Sequence, residues 1–163
     1  MQIEVLPATT EQEPVLANLL ELYAHDFSEF SPLKIGVDGR FGYDPLPLYW
    51  KEANRFPLLV RANGNLAGFV FVQQGSQLSG ADQVWDMAEF FVLWAYRRHG
   101  VGLRASHEVW RTFKGSWEVR VVESNLVARA FWQRALGEFT GLPAESVLTE
   151  RGGKRWHVFS FIS

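Results

Sequence analysis

The stretch Met87–Phe113, which reads MAEFFVLWAYRRHGVGLRASHEVWRTF, decides the fold of this chain. It begins with an apolar, β-prone run to Leu93 in which Glu89 is the single acid,. After a turn, apolar residues recur at helical spacing, at Val101, Ala105, Val109, Trp110 and Phe113. The stretch therefore predicts a strand, a glycine-containing turn and the start of a helix.

The turn itself reads Arg97-Arg98-His99-Gly100-Val101-Gly102. The first N–H groups of a helix have no partner within the helix, and the helix dipole adds partial positive charge there. Because glycine lacks a Cβ atom, a phosphate can approach the backbone closely at Gly100 and Gly102. We interpret the turn as a cradle for a pyrophosphate. An ordinary strand-to-helix turn is the alternative, since short glycine patterns occur by chance.

The composition indicates a globular protein with a substantial core. The chain has 163 residues, of which 47% are hydrophobic, and we expect one domain over residues 1–163,. A net charge of −2 provides no general attraction to nucleic acid or to an anionic membrane,. The absence of cysteine excludes disulfides, thiolate metal sites and a cysteinyl intermediate,.

Three further expectations concern metals, targeting and location. The four histidines are scattered without the spacing of metal ligands, so we expect no metal,. The first residues, Met1–Val5, lack the basic segment and long apolar run of a signal peptide,. No stretch approaches the roughly 20 apolar residues that span a bilayer. We expect a soluble, cytoplasmic protein.

The remaining elements follow from periodicity and turn signals. A capping box at Thr10–Glu13 predicts the start of a first helix, and a later helix is predicted over Asn125–Leu136,. Asn63-Gly64 predicts a tight hairpin,. The aromatic, acidic segment His25–Trp50 is expected to be a long loop, with a short helix near Leu46–Asn54,. Strands are predicted at Gln2–Leu6, Phe56–Arg61, Leu66–Gln73, Val84–Leu93, Trp117–Val122 and Trp156–Ile162,. This order predicts an α/β fold, with a mixed sheet and helices on both faces.

Two motifs give the sequence a family resemblance. Arg97–Gly102 matches the pattern Gln/Arg-x-x-Gly-x-Gly/Ala, and a second pattern, Asn-x-x-Ala-x-x-aromatic-aromatic, matches Asn125, Ala128, Phe131 and Trp132. The motifs lie about 30 residues apart on a predicted strand-helix-strand-helix unit. The chain resembles the GNAT superfamily of acyl-CoA-dependent N-acetyltransferases over essentially its whole length.

The resemblance implies a fold and a ligand. The sheet would be mostly antiparallel and twisted, with its fourth and fifth strands splayed apart and acetyl-CoA lying in the opening. The pantetheine would pair with the strand backbone at Phe91 and Val92, with Asn125 and Trp132 beside it. The residues implied around the pyrophosphate are Arg97, Arg98, His99, Gly100, Val101, Gly102 and Leu103.

The resemblance also places an acceptor amine on the opposite side of the opening, lined by the loop after the first helix. We name Asp26 and Tyr43 as candidate acceptor-binding residues. An acidic rim would suit a small cationic amine, although a solvated acidic loop explains the same charges. Antibiotics, amino-acid-like molecules and protein amines are further acceptors that the family resemblance allows. Family members are often dimers, and Trp156–Ile162 is a candidate for such an interface.

Glu89 is the candidate general base for deprotonating the amine. Burial within an apolar strand would raise its pKa towards a useful range for a base. The alternatives are an exposed side chain or a structural ion pair. Without cysteine, direct attack of the amine on the thioester is favoured over an acyl-enzyme.

Trp132 departs from the family pattern, because many members have a tyrosine at this position to protonate the leaving thiolate. An indole N–H donates a hydrogen bond but does not act as an acid at ordinary pH. Water, Tyr96 or Tyr43 could replace that tyrosine, or catalysis could be weak. A CoA-binding module that acts as a sensor or partner subunit is therefore the alternative function. A plain structural domain, which would bind no CoA, is the third.

Overall fold

The computed structural model describes residues 1–163 and shows ten regular elements. The strands are β1 (Ile3–Pro7), β2 (Arg55–Ala62), β3 (Asn65–Gln74), β4 (Trp85–Val92), β5 (Ser116–Val122), β6 (Ser146–Arg151) and β7 (Lys154–Ile162). The helices are α1 (Glu13–Phe27), α2 (Val101–Thr112) and α3 (Leu126–Thr140). None of these helices has the length and apolar character that crossing a membrane would require.

All seven strands form one sheet in the order β1-β2-β3-β4-β5-β7-β6. Every neighbouring pair is antiparallel except β4 and β5, which are parallel and connected through α2. A parallel pair requires such a crossover, whereas antiparallel neighbours need only a turn. The predicted mixed sheet is confirmed.

The sheet is covered on both faces, as predicted. On one face, 19 buried residues form a core between the sheet and the helices α2 and α3, with Trp110 and Val101 fully buried. On the other face, ten buried residues form a second core beneath α1, including Leu16 and Phe71. We call these the α2 face and the α1 face.

Several local predictions are confirmed and others are corrected. The hairpin turns at Asn63 and Gly64, both with positive φ, as expected for an Asn-Gly turn,. The capping box lies one residue earlier than predicted, at Thr9–Gln12. The short helix is a 3₁₀ turn at Leu46–Trp50. Sequence analysis missed β6, and β7 begins at Lys154 rather than at Trp156.

The sheet opens between β4 and β5. Only two residue pairs join these strands, Trp85 with Trp117 and Asp86 with Glu118. Beyond Asp86, β4 continues to Val92 and stays paired with β3, but it has no partner on its β5 side. The predicted splay is therefore present, and it leaves one edge of β4 accessible in the middle of the sheet.

A bulge in β4 sets which way Glu89 points. Phe71 of β3 pairs with Glu89 and the next residue, Val72, pairs with Met87, so Ala88 has no partner. An extra residue interrupts the alternation of side chains between the two faces of a strand. Ala88 and Glu89 consequently both lie on the α1 face, while Met87 contributes to the core of the α2 face.

Candidate active site

The carboxylate of Glu89 is held by two tyrosines from different parts of the chain. Tyr23 on α1 donates a hydrogen bond of 2.6 Å to Glu89 Oε2. Tyr43, in the loop after α1, donates one of 3.0 Å to Glu89 Oε1. Glu89 makes no ion pair, and the structural ion pair considered above as an alternative is wrong.

Burial controls the protonation of this group of residues. It raises the pKa of Glu89, and the hydrogen bond from Tyr23 offsets part of that effect because it stabilises the ionised form,. Burial likewise raises the pKa of both Tyr23 and Tyr43 well above that of a free phenol, so both remain hydrogen-bond donors. The arrangement is a carboxylate of raised pKa with two neutral donors, which suits a general base.

The turn before α2 presents a run of free backbone donors. No backbone N–H from Arg98 to Leu103 donates a hydrogen bond to any protein atom, and the first bond of the helix is that of Arg104 N–H to the carbonyl oxygen of Gly100. Arg98 and Gly100 both have positive φ. Left-handed residues within a run of free N–H groups at a helix N-terminus form concavities that bind anions. The predicted cradle therefore has the donors that a pyrophosphate requires.

Glycine is needed at the two positions of this turn for different structural reasons. Gly100 precedes α2 with φ of 77°, and a Cβ atom built on it would meet nothing within 4 Å. A Cβ atom on Gly102 would lie 3.3 Å from the ring of Phe131. Gly102 thus permits close packing of α2 on α3, whereas Gly100 supplies the backbone conformation and the open space in front of the helix.

Arg97 is engaged within the protein. Its guanidinium bonds Asp26 at 2.6 Å and the carbonyl oxygen of Val92 at 2.7 Å, and it lies 4.1 Å from the ring centroid of Trp94. These contacts tie α1 to the end of β4. They also place Asp26, named as a candidate for acceptor binding, in an ion pair beside the opening.

Two other predicted ligand contacts also have partners within the chain. Asn125 caps α3, because its side-chain oxygen accepts from Ala128 N–H at 2.9 Å, while its amide N–H₂ makes no bond within the protein. Trp132 is only 6% exposed and packs edge-on against Phe90 on β4, with ring centroids 4.9 Å apart. Both residues therefore have a structural role in addition to the one that the family resemblance implies.

The remaining predicted residues lie along the same opening. Phe91 is buried on the α1 face, and Val101 is fully buried under the cradle. His99 is exposed at the turn and Leu103 is half-buried on the first turn of α2. Tyr96, a possible acid, lies partly buried against the core of the α2 face.

Sequence analysis missed Tyr23 as a site residue. Tyr23 ends the apolar stripe of α1, and its ring packs against Phe69 and Phe91. The available signal was that a tyrosine ending an apolar stripe carries a hydroxyl that needs a partner when it is buried. The partner is Glu89, which faces α1 only because of the bulge at Ala88. The alternation of apolar and polar residues in the sequence does not reveal that bulge.

Solved structures of acetyltransferases share this fold. An acetyltransferase from Thermus thermophilus matches at 14% identity over 100% of this chain and 98% of its own, with a TM-score of 0.71. The PaiA N-acetyltransferase from Thermoplasma acidophilum, solved with coenzyme A, matches at 12% identity over 100% of both chains, with a TM-score of 0.69. Aminoglycoside acetyltransferase AAC(6')-Ib, also solved with coenzyme A, gives a TM-score of 0.72 at 11% identity, over 99% of this chain and 95% of its own.

No curated protein matches the sequence. The model of the acetyltransferase (GNAT) family, however, matches residues 16–137, about three quarters of the chain. That span contains Glu89, both tyrosines and the whole cradle. The chain belongs to the GNAT family of acetyl-CoA-dependent acetyltransferases.

Proposed function

We propose that this enzyme transfers the acetyl group of acetyl-CoA to a small cationic primary amine by direct attack. The observation that carries the proposal is the carboxylate of Glu89, held by Tyr23 and Tyr43 on the α1 face beside the opening between β4 and β5. Bound acetyl-CoA supplies the acetyl group as a thioester.

The free N–H groups from Arg98 to Leu103 are proposed to hold the pyrophosphate. The free edge of β4, near Phe91 and Val92, is proposed to face the pantetheine, with the amide of Asn125 and the indole of Trp132 nearby. The open space in front of Gly100 supports this assignment, because a bound phosphate needs room at the backbone,.

Glu89 is proposed to accept the proton that the ammonium must lose before it attacks. Its raised pKa makes it a stronger base than an exposed glutamate, and the two phenols hold it in one orientation,. The nucleophile is the amine itself. After attack, the amine nitrogen still carries one proton that must leave for the amide to form, and water is proposed to relay a proton from it to the leaving thiolate, since Trp132 has no acidic proton at ordinary pH.

The charge of the α1 face supports a cationic acceptor. On the two strands that flank the opening, this face has three acidic residues, Asp86, Glu89 and Glu118, and one basic residue, Arg120. The excess of acids attracts an ammonium and disfavours an anionic acceptor. Tyr43 lies beside Glu89 in the same region and is proposed to contact the acceptor.

The second candidate function is a CoA-binding module with little catalysis. Trp132, at the position where many relatives have the acidic tyrosine, is the observation that favours it. Such a module would bind acetyl-CoA through the same cradle without consuming it.

The test measures release of free CoA from acetyl-CoA with a panel of polyamines, amino acids, aminoglycosides and lysine peptides. We expect turnover with a cationic small amine, and a loss of about 100-fold or more in kcat for Glu89→Gln with unchanged affinity for acetyl-CoA. Glu123→Gln is the matched control, because Glu123 pairs with Arg155 at the surface and should retain wild-type turnover. Binding without turnover across the panel would favour the module instead. Full activity of Glu89→Gln would remove Glu89 from the mechanism.

A further inference from the structure

We propose that Asp86 and Arg120 are positioning residues for Glu89: Arg120 favours the ionised carboxylate, while Asp86 offsets part of that effect and holds the guanidinium away from the carboxylate. The inference rests on the proposed function, in which Glu89 is the base. It assigns a role to two residues that neither touch the cradle nor belong to either sequence motif.

The pair is buried and well fixed. Arg120 Nη2 lies 3.1 Å from Asp86 Oδ2, and Arg120 Nε donates to Asp86 Oδ1 at 3.4 Å. Gln73 on β3 donates a further bond to Asp86 Oδ2 at 3.3 Å. The Asp86 side chain is 1% exposed and that of Arg120 is 18% exposed. A buried ion pair contributes little net stability compared with apolar residues of similar volume, so its presence calls for another role.

The pair lies where the sheet opens. Asp86 belongs to the last residue pair between β4 and β5, opposite Glu118, and Arg120 is the second residue beyond that point on β5. The guanidinium therefore reaches back across the beginning of the split to meet Asp86.

The pair also faces the same side of the sheet as Glu89. Met87 and the neighbours of Arg120, Val119 and Val121, all contribute to the core of the α2 face. Since side chains alternate along a strand, Asp86 and Arg120 point to the α1 face. The bulge at Ala88 then brings Glu89 to that face as well.

The charged and titratable groups around Glu89 come from every element packed against it. They are Tyr23 from α1, Tyr43 from the following loop, Tyr49 from the 3₁₀ turn, Asp86 from β4 and Arg120 from β5. The facing residue of β3 is the apolar Phe71. Arg120 is the cation of this set. Arg55 and Arg97, on the same side of the sheet, pair with Glu52 and Asp26.

The two members of the pair shift the pKa of Glu89 in opposite directions. Burial raises the pKa of Glu89, the positive charge of Arg120 lowers it, and the negative charge of Asp86 raises it,. Asp86 also holds Arg120 in place. An unrestrained arginine could bond Glu89 directly, which would weaken the base and occupy the oxygen that must accept a proton.

The test is a carbon-13 NMR titration of the Glu89 carboxyl, assigned by its absence in Glu89→Gln and recorded without any amine. We expect the midpoint to move to higher pH in Arg120→Met and to lower pH in Asp86→Asn. The double variant should lie between the two. Arg120→Lys, which keeps the charge, should stay nearer to the wild type than Arg120→Met does.

Shifts of the same sign in Arg120→Met and Asp86→Asn, or no shift in variants that remain folded by circular dichroism, would overturn the proposal. If Asp86→Asn does not fold, the comparison of Arg120→Met with Arg120→Lys decides by itself, and equal midpoints would refute it. The titration does not depend on turnover. A midpoint that moves while the acid limb of kcat stays in place would confirm the pair and reject Glu89 as the base.

Discussion

The phenol of Tyr23 donates to Glu89 Oε2 at 2.6 Å although the two residues are 66 positions apart in the chain. The bond connects α1 to the bulged part of β4, and Tyr43 adds a second bond from the loop between them. Tyr49, in the same aromatic cluster, has a buried hydroxyl with no hydrogen-bond partner. The three tyrosines therefore allow the effect of a hydrogen bond to be separated from the effect of an aromatic ring.

Tyr23→Phe and Tyr43→Phe should each move the acid limb of kcat/KM to higher pH. Each phenol stabilises ionised Glu89, so removing its hydroxyl raises the pKa of the carboxyl and reduces the ionised fraction at a given pH,. Tyr49→Phe is the matched control and should leave the profile in place, since its hydroxyl makes no bond. A pH–rate profile for each variant, with one amine acceptor, provides the measurement. Equal shifts in all three variants would contradict the assignment.

Glu89 should also make folding stability depend on pH. Because burial raises its folded pKa above the ordinary value of 4.5, the folded state binds more protons than the unfolded state between those two pKa values,. Wild-type stability relative to Glu89→Gln should therefore be greatest below pH 4.5, fall as the pH rises through the folded pKa, and then level off. Urea unfolding of both proteins across this range measures the difference. A difference that grows with pH would contradict a raised folded-state pKa for Glu89.

Gly100→Trp should abolish the thermal stabilisation that acetyl-CoA gives. Ligand at about 100 times its dissociation constant stabilises a folded protein by roughly 2.7 kcal/mol. The indole would enter the open space in front of the free N–H groups. Gly141→Trp is the control, because Gly141 also has a left-handed backbone, with φ of 71°, at a helix end with open space around it. Both variants should lose some stability through backbone strain, but only Gly100→Trp should lose the response to ligand.

Gly68→Ala should destabilise the fold by about 3 kcal/mol or more. A Cβ atom on Gly68 of β3 would lie 2.0 Å from the carbonyl oxygen of Phe91 on β4, so the two strands would have to separate. Gly137→Ala is a control that should increase stability instead. Its Cβ atom would make an ordinary contact of 3.6 Å with the carbonyl oxygen of Leu142, and alanine in a helix is favoured over glycine by about 1 kcal/mol,. Chemical denaturation of both variants gives the comparison.

Strong local signals explain how much of the fold the sequence predicts. The Asn63-Gly64 turn, the two flanking apolar strands and the glycine turn before α2 each have a short-range physical cause. Strand β6 has no such short-range signal. Its apolar residues, Val147 and Leu148, are adjacent rather than alternating, and most of its side chains are exposed. Its pairing with β7, through the turn at Gly152 and Gly153, is what makes it a strand.

The candidate site likewise has one part that the sequence predicts and one part that it does not. The cradle is local, so residues Arg98 to Leu103 were predicted from one contiguous stretch. The environment of Glu89 is not local, because Tyr23 lies far before Glu89 in the chain and Arg120 lies far after it. A bulge of one residue determines the face on which Glu89 lies, and strand periodicity alone does not reveal such a bulge,.

The split between β4 and β5 has a kinetic consequence. The sheet separates the molecule into two compartments, with the cradle at the start of α2 on one side and Glu89 under α1 on the other. On the proposed function, the two substrates enter from different sides and meet only at the gap, so neither has to leave before the other arrives. Initial rates measured at several fixed acetyl-CoA concentrations should then give intersecting double-reciprocal lines rather than the parallel lines of a ping-pong enzyme.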